Sequence, residues 1–422
     1  MSSDSFLSRR RFGTLLLSST ASLLAGCPQR SGSSDDAVKV GVLHALSGTM
    51  AIIAKPVAEM TMFAIEEINA QGGLLGRKLV PLLVDGRSDP AVFAREAERL
   101  IVDEHVKVVF GLLNSASRRT TKSVFEKYNH LLFYPMSYEG LEQSPNIIYT
   151  GAAPNQQITP AVKWCFDNLG KRFFLVGTDQ VHSRAANAMI QDQVSALDGE
   201  VVGEAYVLWG SKDVTSVIEQ IETRKPSVIV NSITGDSNLA FFRELRRAGI
   251  TPTKIPTLSF ALTEHELAAL NTREMAGDYV AWNYLQAQSN PENIEFVKRV
   301  RARFGANSVV DDPMESGYLS VYLWAAAVRA ARSFSPDLVL GTLPNQSYNA
   351  PEGLVYVDAE NNHVWRSARI GKIDTDGSFD LVWESGRALR PVPYPIYRTK
   401  ADWETLLNDL FIGWKRQWMN RG

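Results

Sequence analysis

The side chains best placed for chemistry follow directly on short apolar runs. VKVGVLHA is followed by Ser47, Gly48, Thr49 and Met50, and VKVVFG by Asn114, Ser115, Ala116 and Ser117. HLLFY closes on Tyr134 and leads into Met136, Ser137 and Tyr138. FFLVG leads into Asp179, Gln180 and His182, and SVIVNSI into Gly235, Asp236 and Ser237. Hydroxyls, amides, an imidazole and carboxylates are groups that hold a polar solute by hydrogen bonds. Helix capping accounts equally well for Ser115, Ser117 and Asp236. Bond-breaking chemistry has no comparable support. There is no GxSxG elbow and no HExxH, and the six histidines (His44, His105, His130, His182, His265 and His363) show no metal-ligand spacing. The glycines of INAQGGLLGRKL fit neither GxGxxG nor GxxxxGK[ST]; they read as a helix end at Gly72 and Gly73 before a turn. The expectation is a binding protein, not an enzyme, with no cofactor and no metal.

A second chemistry is legible near the start. Arg9, Arg10 and Arg11 precede a mildly apolar stretch, residues 14–26, that ends in small residues and Cys27. This is the layout of an export signal, and it is too short to span a bilayer. SRRRF resembles the twin-arginine export motif, and LAGC resembles a lipobox, in which the cysteine is acylated and becomes the first mature residue. Residues 1–27 are therefore expected to be a lipoprotein signal peptide with Cys27 as the lipidation site. A lipid anchor there would hold the chain at a membrane surface. Residues 28–37 read as a flexible tether. The other cysteine, Cys165, lies on an apolar helical pattern and reads as core.

The elements that must position these side chains alternate regularly. From Val38 onward β-branched runs of strand length are each followed by an amphipathic stretch, in two series broken near residue 150. Such alternation implies parallel sheets with helices on both faces. TEHE, from Thr263 to Glu266, has the spacing of a capping box. DPME places Asp312 at an N-cap, Pro313 at N1 and Glu315 at N3, which explains that carboxylate pair without catalysis. Net charge is −2 with 45% hydrophobic residues, an ordinary globular balance that offers no nucleic-acid surface.

Several stretches together resemble the urea substrate-binding proteins of ABC transporters and the related short-chain amide sensor. They are LHALSGTMA, EEINAQGGLLGRKL, LLFYPMSYEGLEQSPNIIYTGAAPNQQ, ITGDSNLAFFRELRRAGITP, DPMESGY and APEGLVYVDAENNHVW. They belong to the leucine/isoleucine/valine-binding-protein superfamily, the type I periplasmic binding proteins. The resemblance implies an α/β fold of two Rossmann-like, doubly wound lobes joined by three crossover strands, with the ligand cleft between them. It places lobe one at residues 38–155 plus 287–347 and lobe two at residues 156–286 plus 348–387, with crossings near 150–157, 279–286 and 345–353. Residues 388–422 form a tail with an amphipathic helix, which carries Trp403, Leu407, Leu410, Trp414 and Trp418 on one face and is expected to pack on a lobe.

The implied partners are a small polar solute such as urea or an amide, a membrane permease, and the membrane itself through the anchor. The alternative is an amide-responsive sensor without a transport role. Ser115, Tyr134 and Tyr138 match the family's site positions. Leu113 and Met136 depart from it, and so does TDQVHSR, where Gln180 and His182 stand in place of aromatics. Those two residues point to a solute larger or more polar than urea, one that could carry a carboxylate for protonated His182.

Overall fold

The computed structural model describes residues 37–422, so Cys27, the export-type leader and all but the last residue of the tether lie outside it. Strand β1 (Val38–His44) is buried at every position except Lys39, as a central parallel strand covered on both faces must be. It is followed by α1 (Ala51–Ala70), β2 (Leu79–Asp85), α2 (Pro90–Val102), β3 (Val109–Gly111), α3 (Ser115–Lys127), β4 (Leu132–Tyr134) and β5 (Ile147–Tyr149). The five strands form a parallel sheet in the order β2-β1-β3-β4-β5. The chain then builds a second sheet. Its elements are α4 (Ile158–Asn168), β6 (Arg172–Thr178), α5 (Val181–Ala196), β7 (Glu200–Val207), α6 (Thr215–Arg224), β8 (Val228–Ser232), α7 (Asp236–Arg247), β9 (Thr257–Ser259), α8 (Glu264–Leu267), α9 (Thr272–Met275) and β10 (Tyr279–Trp282).

It returns to the first lobe as α10 (Pro291–Phe304), α11 (Asp312–Ala331), α12 (Pro336–Thr342) and a small antiparallel sheet of β11 (Ser347–Ala350), β12 (Gly353–Val357) and β13 (Val364–Trp365). Finally β14 (Arg369–Ile373) and β15 (Phe379–Glu384) join the second sheet antiparallel, and α13 (Lys400–Gly413) packs on it. The second sheet runs β15-β14-β10-β9-β8-β6-β7. Both parallel portions share one winding, and each reverses direction once. The reversal falls between β1 and β3 in the first lobe and between β6 and β8 in the second. Ligands of open α/β sheets bind at such points, beyond the carboxyl ends of the strands.

All three crossings meet at one buried arginine. Arg366 donates to the Thr150 carbonyl oxygen (3.1 Å) on the first crossing and to Asp312 Oδ2 (3.2 Å). The same Asp312 oxygen accepts the backbone N–H groups of Asn283 (3.0 Å) and Tyr284 (2.8 Å) on the second crossing. Arg366 itself lies on the third. Glu315 (3.0 Å), Glu352 and the Ser316 hydroxyl (2.5 Å) complete its shell.

Three expectations need correction. The third crossing lies at residues 366–368, not 345–353, because Ala350, Val355, Val357 and Val364 pack into the first lobe's core. The N-cap of α11 is Asp311, whose side chain accepts the Met314 N–H at 3.0 Å; Asp312 sits one residue further in and serves Arg366 instead. Helix α13 ends at Gly413, so Trp414 and Trp418 lie beyond it, although both still pack beside Trp403 and Leu407 on the second lobe. The capping box at Thr263 and Glu266 is present.

Candidate functional site

Segments at the carboxyl ends of seven strands, β1, β3 and β4 of the first lobe and β6, β8, β9 and β10 of the second, close a cavity between the lobes. On the first lobe, the chain leaving β1 is fixed by Asp85, which accepts from the backbone of Leu46 (2.8 Å) and the hydroxyl of Ser47 (2.6 Å). Ser47 is therefore an exposed loop brace and does not reach the cavity. Thr49 lies against Gly235 of the second lobe. A Cβ there would stand 2.6 Å from the Thr49 carbonyl oxygen, and the φ of +67° also favours glycine, so this close approach of the lobes needs that residue. Asn114 caps α3 by accepting the Ser117 N–H at 2.7 Å, which aims Ser115 inward with the first N–H groups of the helix.

The cavity wall brings together Asn114, Ser115, Tyr134, Met136 and Ser137 from the first lobe and Gln180 and His182 from the second. Met50, Ile53, Leu113, Thr234, Phe260, Ala261, Thr263 and Trp282 complete it. Tyr138 and Asp236 are not on this wall. Tyr138 lies behind it, its ring under the Arg118 guanidinium at 4.2 Å and stacked on Tyr149 at 5.1 Å. Asp236 begins α7 and is half-buried outside the cavity. Phe260 and Trp282 directly follow or end β9 and β10. The strand-end rule that found the polar residues reaches them as well, but their apolar character makes them read as core.

Four cavity-lining polar atoms are buried without a partner: the Tyr134 hydroxyl, the Ser137 hydroxyl, Gln180 Oε1 and His182 Nδ1. Gln180 spends its Nε2 on Thr234 Oγ1 at 3.2 Å. Burial pushes the Tyr134 hydroxyl up to about 12, so it remains a donor at any physiological pH. Orphaned groups of this kind are costly unless a ligand or water completes them.

Ser115 is different, because its hydroxyl is already engaged. It donates to Glu139 Oε2 and accepts from Arg118 Nη1 at 3.1 Å. Glu139 Oε1 in turn accepts from Arg118 (3.2 Å) and Arg119 (3.1 Å). Burial alone would raise the Glu139 carboxyl, but Arg118, His182 and Arg119 hold it well below the usual carboxylate range. Glu142 balances the second arginine charge, 2.9 Å from Arg118 Nε and 3.6 Å from Arg119 Nη1. His182 Nδ1 lies 3.5 Å from Glu139 Oε2 and makes no hydrogen bond to it. No lysine or arginine lines the cavity.

The space open to a water centre is about 40 Å³, room for about three water-sized groups at roughly 10–15 Å³ each. Among the described residues no cluster of His, Cys, Asp or Glu has a metal-holding arrangement, and no helix is long and apolar enough to cross a membrane.

The family described as "Periplasmic binding protein domain" matches residues 38–400. A protein of Brucella abortus named Leu/Ile/Val-binding protein homolog 8 is 22% identical, covering 83% of this chain and 92% of its own. A solute-binding protein of an ABC transporter from Rhodopseudomonas palustris, solved with 3,4-dihydroxybenzoic acid, superposes with a TM-score of 0.77 at 19% identity. That match covers 84% of this chain and 98% of that one, and shows the shared fold. A stretch of 124 residues is 31% identical to limonene hydroxylase of Geobacillus stearothermophilus. It spans 29% of this chain and only 22% of that protein, too little to carry an activity across.

Proposed function

Because the chain belongs to the periplasmic binding protein domain family, we propose that it is an exported solute-binding component of an ABC importer whose solute is urea or a short-chain amide. The observation that carries this reading is the cavity itself. It is small, bears no lysine or arginine, and presents an unpartnered donor at Tyr134 beside an unpartnered acceptor at Gln180 Oε1. A neutral molecule of a few heavy atoms with one carbonyl and one NH2 satisfies both. The apolar faces of Trp282, Phe260 and Met136 suit a planar solute. Closure of the lobes over it would create the surface a permease reads.

The direct test is thermal denaturation of the mature protein with urea, acetamide, formamide and branched amino acids. A bound solute at 100 times its Kd stabilises by about 2.7 kcal/mol. A shift with urea or an amide and none with leucine is the expected result; a shift with leucine alone would overturn the solute assignment.

The leader carries a further part of the proposal. SRRRF and LAGC support twin-arginine export and acylation at Cys27. Cys27→Ala should move the protein from the membrane to the soluble fraction. Equal solubility of the two forms would remove the anchor.

A further inference from the structure

Hydrogen-bond polarity inside the cavity is set from behind its wall. A serine hydroxyl has one proton and two acceptor positions. The proton of Ser115 goes to Glu139 Oε2, and one acceptor position takes Arg118 Nη1 at 3.1 Å. Only an acceptor position is left to face the cavity. Gln180, with its Nε2 committed to Thr234, offers a second acceptor there. Both arginines meet Glu139 on its other oxygen, at 3.2 and 3.1 Å, and so lock the carboxylate's orientation.

We propose that Glu139, a residue that does not itself line the cavity, is the positioning residue that makes this site select an N–H-bearing amide over a carboxylate of the same shape. This rests on the amide reading above and adds the device that enforces it. An NH2 group places its two protons on Ser115 and Gln180 while its carbonyl oxygen meets Tyr134. A carboxylate can accept from Tyr134 and from the Ser137 hydroxyl, but it has no proton for the acceptor positions of Ser115 and Gln180 and leaves both unpaired. A site built to receive N–H rejects an analogue lacking it strongly, because its buried acceptors are then left unpaired. The held-down Glu139 carboxyl keeps this arrangement ionised across the physiological range.

Acetamide and acetate, planar and nearly equal in size, separate the alternatives. Calorimetry on the mature protein at pH 7.5 should show acetamide bound about 100-fold or more tightly than acetate. In Glu139→Gln the side-chain oxygen turns to the two arginines and the NH2 faces Ser115, releasing the serine proton into the cavity. The ratio should then narrow by at least about tenfold. Ser115→Ala leaves the buried ion pairs intact and guards against a misfolded Glu139 variant. It should weaken acetamide by about tenfold and leave acetate unchanged or tighter.

A folded Glu139→Gln protein that keeps the wild-type ratio would overturn the role of Glu139. So would equal losses of both solutes in Ser115→Ala, or wild-type binding of the two without preference; each leaves the amide reading standing. Failure of the wild type to bind acetamide or urea at all would overturn the amide reading and this inference with it.

Discussion

Arg366 is the residue on which the connection between the lobes depends. It and its partners Asp312, Glu315 and Glu352 are almost wholly buried. Three carboxylates around one guanidinium leave excess negative charge in a dry site, and burial together with Glu352 pushes the Glu315 carboxyl well above its ordinary value. Arg366→Met should cost about 3–5 kcal/mol in guanidinium unfolding, because it strands buried charge. The sign of its pH response follows from the carboxyls. The raised values of Asp312 and Glu315 mean the folded state holds their protons more tightly, so the stability they contribute is greatest at low pH and is lost as pH rises through those values. The variant should therefore recover part of its loss as pH falls from about 8 to 5. A cost below about 1 kcal/mol, or no recovery in acid, would show that the cluster does not hold the hinge.

At the scale of elements, the short helix α8 brings a lobe-two histidine to the first lobe. His265 Nδ1 lies 3.1 Å from Asp311 Oδ2, the cap of α11. Burial would lower this imidazole, but Asp311, with Glu59, raises it above its usual value. Neighbouring Glu264 is pushed well up by burial and by Asp311, so both groups take up protons as the lobes close. The contribution of His265 to closure is complete below the ordinary imidazole value of about 6.5 and disappears as pH rises through the raised one; that of Glu264 is complete only below the ordinary carboxyl value of about 4.3 and declines above it. Solute affinity should accordingly weaken from pH 6 to pH 8, and the double variant Glu264→Gln/His265→Gln should flatten that slope. An unchanged slope in the variant would move the titration elsewhere.

The alternation of elements was plain in the sequence because hydrophobic periodicity is local, whereas the crossings came only from the family resemblance. The third was misplaced because the polar stretch NQSYNAPEG looks like a linker. Only the burial of Val355, Val357 and Val364 against the first lobe shows that the chain has not yet left it. The cavity was partly legible for the same reason. Asn114, Ser115 and Gln180 stand at strand ends, whereas the contact of Ser115 with Glu139 joins the start of α3 to a loop 24 residues on and has no local signature.

At the scale of the whole molecule, residues beyond α13 run past the cavity's edge and touch both lobes. The Trp418 carbonyl accepts the Val181 N–H at 3.0 Å, and Asn420 donates to the Asp179 carbonyl oxygen at 2.9 Å; these bracket Gln180 on the second lobe. Toward the first lobe, Arg421 meets Asp89 at 3.0 Å and the Arg119 guanidinium lies 5.0 Å from the Trp418 ring. Opening must break the second pair of contacts and can keep the first. Each broken contact is worth only about 0.5–1 kcal/mol, since one is a largely exposed ion pair and the other a single cation–π contact. Losing both weakens affinity by about tenfold, and the loss falls on the rate at which solute leaves. The strap is in this sense a clock: it sets how long a loaded molecule stays loaded while it diffuses in search of its permease. Trp418→Ala/Arg421→Ala should shorten that dwell about tenfold in stopped-flow release, with the association rate nearly unchanged. Equal release rates would mean that the clock lies elsewhere; a true one would trade capture against delivery, since a solute held too long is as useless to the importer as one never caught.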